Sequence, residues 1–301
     1  MEKLKRSEFL FLYDVKWGNP NGDPNDENKP RYDEITSHAL VSDVRLKRTV
    51  RDYLEQKGKT IFISKSTDIQ TSEGRTKTLI GDSKDPLNDI LDKAIDIRLF
   101  GGMLPTKLSK KDSSGDSLTL VGPIQMRMGE SLHAVDLSYV KGTAAFAARE
   151  DAQMSSFREE WLIPYALISF YGVINQNAAV KTKLTTQDVE EFLKALWFGT
   201  KDLITRSKME QLPRLLVQIE YNDDTHNGGL DAFVSLKTDK PENEIRSVFD
   251  YTLDLTKLLD LIKRNSNRIS KVRYFSSEEL KITPDFTSLE GINVERLNME
   301  A

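Results

Sequence analysis

The chain reads as an α+β protein built on an antiparallel, ferredoxin-like sheet, and three observations predict it. A run of aromatic and aliphatic residues, EFLFLYDV at Glu8–Val15, opens the chain as a strand. Two segments, 41–57 and 186–198, carry apolar residues at helical spacing. Setting insertions aside, the order is strand, helix, strand, strand, helix, strands, which is the split βαβ pattern that RNA-recognition folds also use.

Each element has a local reason. After the first strand, WGNPNGDPNDENKP packs three prolines, two glycines and four asparagines into residues 17–30. A loop of that length inside a fold is usually functional or disordered. Gly22 is expected to supply a positive φ within it, with the prolines stiffening its flanks. The first helix places Leu46, Val50, Tyr53 and Leu54 on one stripe, with Ser42 as N-cap and Gly58 as stop. Residues 61–120 mix TIFIS with Gly-, Ser- and Lys-rich loops and read as an insertion with a short helix near 85–99. Strand character returns at 117–128 (SLTLVGPIQMRM) and at 161–174 (WLIPYALISFYGVI). The second helix carries Val189, Phe192, Leu193, Leu196 and Trp197, with Gly199 as its stop. PRLLVQIEY (213–221) and LDAFVSLK (230–237) read as a hairpin joined by NDDTHNGG. A last helix is expected over 252–264, through Leu255, Leu258, Leu259 and Ile262. One domain with two long insertions is the simplest organisation.

Of the 301 residues, 30% are charged and 38% hydrophobic, the balance of a soluble globular protein. No stretch approaches the roughly 20 apolar residues of a membrane span. The start, MEKLKRSEFLFLYDV, lacks the long apolar run and cleavage site of a signal peptide. Cysteine is absent, which excludes disulfides and thiolate metal sites and suggests the cytoplasm. The net charge of −4 argues at face value against nucleic acid. Local runs argue otherwise, since phosphate contacts act over about a Debye length, roughly 10 Å. Residues 41–59 hold six basic residues against three acids, and KRNSNRISKVR (263–273) holds five and no acid.

Enzymatic signatures are missing. There is no GxxxxGK[ST] loop, no GxGxxG after a strand and no GxSxG elbow. His38, His133 and His226 are scattered without metal-ligand spacing. The acidic loop at Asp23, Asp26 and Glu27 does not match a calcium loop, because Trp17 stands where the first Asp is required. In that same loop the amides of Asn19 and Asn21 could touch phosphates or ribose hydroxyls.

The string FLYDVKWGNPNGDPNDENKPR, followed by LVSDVRLKRTVRDYL, resembles the repeated backbone subunit of type I Cascade complexes, the CRISPR surveillance particles of the RAMP superfamily. Type I-B looks closest and type I-C next. The resemblance continues through DIRLFGG (96–102), GPIQ (122–125), YVKGTAAFA (139–147), FREEWLIPYALISFYGVIN (157–175) and RSKMEQLPRLLVQIEY (206–221). It therefore covers nearly the whole chain in order.

That resemblance implies an RNA-recognition-like palm, a fingers-like insertion over about 61–120 and a thumb hairpin over about 132–160. It implies several copies stacked as a helical filament on a CRISPR guide RNA, beside other Cascade subunits, presenting the guide to a target DNA strand in antiviral defence. No cofactor and no reaction are implied. The family's guide-contacting helix motif, SxxxxKRxxR, falls on Ser42, Lys47, Arg48 and Arg51, with Arg45 within it. Gln125 is a further carry-over, and the backbone-contact set extends to Asn19, Asn21, Gly22 and Lys141. Phe146 or Met154 is expected either to wedge a flipped base or to anchor the hairpin on a neighbouring copy. Lys47 and Arg51, four residues apart, are expected on a solvated face, so that replacing both with Ala should cost about 0.5 kcal/mol or less. The alternative is a metal-dependent target-RNA nuclease of the type III kind, for which Asp23 or Asp33 would be the catalytic candidate.

Overall fold

A computed structural model describes residues 4–69, 71–105, 117–143 and 157–300. The chain opens with β1 (Ser7–Gly18), then two short ribbons, β2 (Gly22–Asp23) with β3 (Lys29–Pro30) and β4 (Tyr32–Asp33) with β5 (His38–Val41), before α1 (Asp43–Gln56). Next come α2 (Ser72–Ile80), α3 (Pro86–Lys93), α4 (Ile95–Phe100) and a ribbon of β6 (Gly101–Pro105) and β7 (Ser117–Val121). β8 (Ile124–Met126), β9 (Gly129–Ser131) and β10 (Ser138–Thr143) lead to the 18-residue β11 (Phe157–Ile174). Then follow α5 (Gln176–Thr182), α6 (Thr186–Lys201) and β12 (Leu212–Tyr221). The remainder holds β13 (Ser235–Lys237), β14 (Thr252–Asp254), α7 (Thr256–Arg264), β15 (Ile269–Ser276), β16 (Ile282–Thr283) and β17 (Val294–Arg296).

The main sheet runs β17-β15-β12-β1-β11-β9-β5-β4, with β8 and β10 also paired to β11. At its centre β12, β1, β11 and β8 are mutually antiparallel neighbours. Alternation along β1 sends Phe9, Phe11, Tyr13 and Val15 to one face, where they join Leu46, Val50 and Leu54 of α1 and Phe192, Leu193 and Leu196 of α6 in one core. Leu10 and Leu12 point the other way, into a second core with Leu258, Leu259 and Ile262 of α7. The strand is therefore buried on both sides. A smaller core, Phe62, Ile90, Leu91, Ile97 and Leu104, holds residues 62–104 together.

Several expectations need correction. Gly199 does not stop α6, which continues to Lys201. A Cβ at Gly199 would come within 2.9 Å of the Tyr53 Cβ, so the glycine lets α1 and α6 approach. The helix expected near 85–99 is two helices, because Ala94 is extended (φ −96°, ψ 104°) and the chain turns there to present Asp96 inward. The 117–128 run divides between β7 and β8, which belong to different sheets. The hairpin of 213–221 with 230–237 does not form. β12 pairs instead with β1 and β15, and β13 joins β14. The cause is the fully buried Glu8, whose carboxylate accepts the amides of Asn227 (3.2 Å) and Gly228 (3.0 Å) as well as the Tyr171 and Tyr221 hydroxyls. These bonds fold the 222–229 loop over the sheet, where Leu230 enters the second core. The last helix starts at Thr256, after β14. α2 and α5 were not foreseen, each being short and without a sustained apolar stripe.

His133 ties the layers together. Its Nδ1–H donates to the Ala134 carbonyl (2.9 Å) and the Glu242 carbonyl (3.1 Å), and Nε2 accepts the Leu167 amide (3.3 Å). That network assigns the neutral tautomer, and burial pushes the imidazole pKa below its usual value. A histidine with a depressed folded pKa stabilises the fold above its unfolded pKa, about 6.5, and that contribution is lost as pH falls through and below it. The thermal midpoint should therefore drop between pH 7.5 and pH 5.5. In His133→Asn, less stable throughout, the slope over that window should shrink, as read by circular dichroism melts at both pH values.

Candidate nucleic-acid interface

The loop after β1 is built from its asparagines. Asn19, 2% exposed, donates from Nδ2 to the Asn28 carbonyl (2.6 Å), and its backbone N–H donates to the Ser207 carbonyl (2.7 Å). Asn21 Oδ1 accepts from both the amide and the hydroxyl of Ser42 at 2.8 Å, fastening the loop to the start of α1. Ser42 is thus the N-cap by position, but its hydroxyl is committed to Asn21 and makes no cap bond. α1 begins without a side-chain cap, so its first amides stay available to an anion or to water. Gly22 does not have a positive φ; in this loop Glu27 (47°) and Asn28 (58°) do. Glycine is needed there because a Cβ would collide with the Asn28 side-chain amide.

Asp23 and Asp33 do not stand free as metal ligands would. Asp23 pairs with Arg31 (2.9 Å) and accepts the Asn25 amide (3.0 Å), and Asp33 accepts the Ile35 amide (2.9 Å). Among the described residues no three His, Asp or Glu side chains gather as metal ligands do.

The cations of α1 divide by partner. Lys47 bonds Asp43 at 2.8 Å and Arg48 bonds Asp52 at 2.5 Å, both one turn away on the helix surface. Arg51 is not on a solvated face. Its Nε donates at 3.0 Å to Asp96, whose side chain is 0% exposed and also accepts the amides of Phe62 (2.7 Å) and Ile63 (3.1 Å). The guanidinium lies over the Phe100 ring, 5.0 Å from its centroid, and the Lys47 amine lies 5.8 Å from the same ring. Arg51 therefore clamps α1 to α4 and, through Asp96, to the 62–63 backbone. Arg45 makes no hydrogen bond or ion pair through its side chain among the described residues, and burial pulls its pKa down.

The other predicted residues lie apart. Gln125, in β8, pairs opposite Val173 of β11, whereas Gly18 pairs opposite Ile163. Ten residues of strand, about 33 Å, therefore separate it from the start of the asparagine loop. Lys141 is nearer, on the two-stranded extension that β10 makes with residues 157–162 of β11, where it bonds Glu159 at 2.9 Å. At the root of that ribbon the Tyr139 and Trp161 rings are 5.0 Å apart, with the Lys29 amine 5.3 Å from the Trp161 centroid. Phe146 and Met154 lie outside the described residues. The second basic run is largely neutralised: Arg268 by Asp223 (2.9 Å), Lys271 by Glu295 (3.2 Å) and Arg273 bidentately by Glu190 (2.5 and 2.6 Å).

Sequence reasoning passed over Asp96 and Lys208. Asp96 stood in a quoted motif, but a carboxylate between Ile95 and Ile97 gives no sign of three distant donors. Lys208 is half-buried in the turn before β12, and its pKa is held down by burial and by the charge of Arg45.

Fold and site together define an α+β protein with a largely antiparallel sheet, covered on both faces, whose loop, ribbon and α1 cations lie toward one end. The chain belongs to the Cas7 family of CRISPR-associated proteins, whose family model matches residues 5–256. A CRISPR-associated protein Cas7 from Haloferax volcanii is 34% identical, over 94% of this chain and 90% of that protein. Among solved structures, a chain of a CRISPR RNA-guided surveillance complex superposes with a TM-score of 0.56 at 15% identity, covering 94% of this chain and 96% of that one. A second, from such a complex in a pre-nicking state, gives 0.55 at 12% identity, covering 94% and 97%.

Arg51→Ala should unfold more easily by about 3–5 kcal/mol, because it strands a buried carboxylate, whereas Lys47→Ala should change stability by about 0.5 kcal/mol or less. Urea unfolding of the two single variants checks the contrast.

Proposed function

We propose that this chain is a CRISPR RNA-binding backbone subunit of a Cascade surveillance complex, of which several copies line one guide RNA and present it to a target DNA strand. The observation that carries the reading is the extent of the family match. Residues 5–256 include the asparagine loop, α1 and the β10–β11 ribbon, the parts that reach outward from the sheet. The core β12-β1-β11-β8, with α1 and α6 against one face, supports its description as an RNA-recognition-like palm. Its opposite face is covered by α7 and its neighbours, so bases do not stack across the sheet as they do in RNA-recognition motifs. RNA is held instead by its backbone, at the end of the sheet where α1 begins.

In this reading residues 61–120 are the fingers, 132–160 are the thumb, and the subtype is I-B. The subunit works in the cytoplasm and catalyses no reaction; among the described residues no helix is long and apolar enough to cross a membrane. The contact set is Asn21, Ser42, Arg45, Lys47 and Arg48 around α1, with Asn19 and Gly22 shaping the loop and Arg51 holding the helix in place. Gln125 and Lys141 meet other stretches of the strand. The nuclease alternative is disfavoured by the commitment of Asp23 to Arg31.

Protein purified from cells carrying its CRISPR array should bring down short RNAs with uniform repeat-derived ends. RNA of heterogeneous ends, or none, would overturn the reading. Regular cleavage of a complementary RNA by that purified complex with Mg²⁺ would favour the nuclease.

Shortening 139–156 should leave the melting temperature within a few degrees and abolish regular filaments on guide RNA in electron micrographs. A head-to-tail contact that does not close generates a helix, so loss of the reaching arm leaves single copies on RNA. Filaments of normal pitch would show that this segment is not the thumb.

A further inference from the structure

We propose that Lys208 and Arg45 form a two-cation seat for one phosphodiester of the bound RNA, an inference that rests on the RNA-binding reading above. Arg45 stands in the first turn of α1, and Lys208 in the turn of residues 202–210 that leads into β12. The loop that fastens to α1 also fastens to this turn. Asn21 holds Ser42, and the Asn19 amide bonds the Ser207 carbonyl at 2.7 Å. Arg45 and Lys208 are therefore carried on two segments that one loop ties together, through the Asn21 side chain at one and the Asn19 backbone at the other.

Their environment is unusual for cations. Among the described residues neither has a carboxylate within ion-pair distance. The carboxylate that Arg45 feels most, Asp52, is bonded to Arg48 at 2.5 Å. The Lys208 amine has only a long contact to the Ser207 hydroxyl, 3.5 Å. Near the turn, Glu160 is bonded to Arg206 at 2.9 Å, and Glu210 is exposed. Half-buried lysines and arginines are ordinarily paired, and two unpaired ones beside each other repel. The pKa of each is lowered by burial first, with the like charge of Arg45 adding to the effect at Lys208. Gln211, three residues on and 4% exposed, has an Nε2 that donates to nothing among the described residues. Positive charge left unspent where the fold brings these two segments together suits an oxyanion. A phosphodiester is the oxyanion that an RNA-binding subunit meets at every nucleotide, and charge-assisted bonds to it are the strong kind.

The test is fluorescence anisotropy of the full-length protein with a short single-stranded RNA that seats one copy, across a salt series. Lys208→Met should weaken binding at least several-fold at low salt and flatten the log–log salt slope by roughly 0.7, the loss of one phosphate contact on a single strand. Lys208→Arg should restore both. Because the substitution removes a repulsion, Lys208→Met should melt no lower than the parent, which a structural lysine would not allow. Lys208→Gln serves as a second neutral variant should Met not fold. Unchanged affinity and slope in a folded neutral variant, with the parent binding normally, would overturn the seat alone. Lost filament assembly with an unchanged slope would also overturn it, assigning the pair to a carboxylate of the neighbouring copy. Failure of the parent itself to bind RNA would overturn both this inference and the function on which it rests.

Discussion

Burial of β1 on both faces is the constraint from which the rest of the molecule follows. Its odd-numbered apolar residues meet α1 and α6, and its even-numbered ones meet the C-terminal layer. The second contact is anchored by two carboxylates six residues apart on that same face. Glu8 collects two tyrosine hydroxyls and two loop amides near one end of the strand. Asp14, near the other end, accepts the Arg214 guanidinium (2.8 Å) and the Tyr165 hydroxyl (2.9 Å), which in turn meets Tyr251 (2.9 Å). Burial raises the Asp14 pKa despite these partners, so the arrangement is held by the surrounding fold rather than by favourable solvation of the charge. A sheet closed on both faces leaves its ends and edges as the places for a ligand.

The sequence displayed the parts of this arrangement that repeat with a period. β1, α1, α6, β11 and β12 show as runs of apolar residues at strand or helix spacing, and each stands within a few residues of where that spacing puts it. What sequence could not display are contacts made once. Nothing near Leu230 says that a strand-like run will open with a helical turn, because the loop before it is held by Glu8, more than two hundred residues earlier. In the same way Arg51 reads as one basic residue among several on a helix until Asp96 is brought beneath it.

Charge shows the same limit. Both basic runs looked like RNA surfaces by composition. Arg268, Lys271 and Arg273 meet acids from β17, α6 and the 222–229 loop, and that surface loses most of its excess. On α1 the acids are local, one turn from Lys47 and Arg48, in part-buried i,i+4 pairs of about 0.3–0.5 kcal/mol that a phosphate can displace. A net charge of −4 is thus compatible with a polyanion site, because what matters is which cations the fold leaves unspent.

The placement of the ribbon bears on how such a subunit would polymerise. β11 is long enough to serve two structures, its C-terminal part pairing with β1 inside the sheet and its N-terminal part with β10 beyond the sheet's end. The change occurs at Ile163, opposite Gly18, where the asparagine loop leaves β1. The β10–β11 ribbon and the loop that fastens α1 therefore spring from adjacent residues of neighbouring strands, joined by the Lys29–Trp161 contact. Because the asparagines hold that loop against α1, the root of the ribbon is fixed relative to the helix.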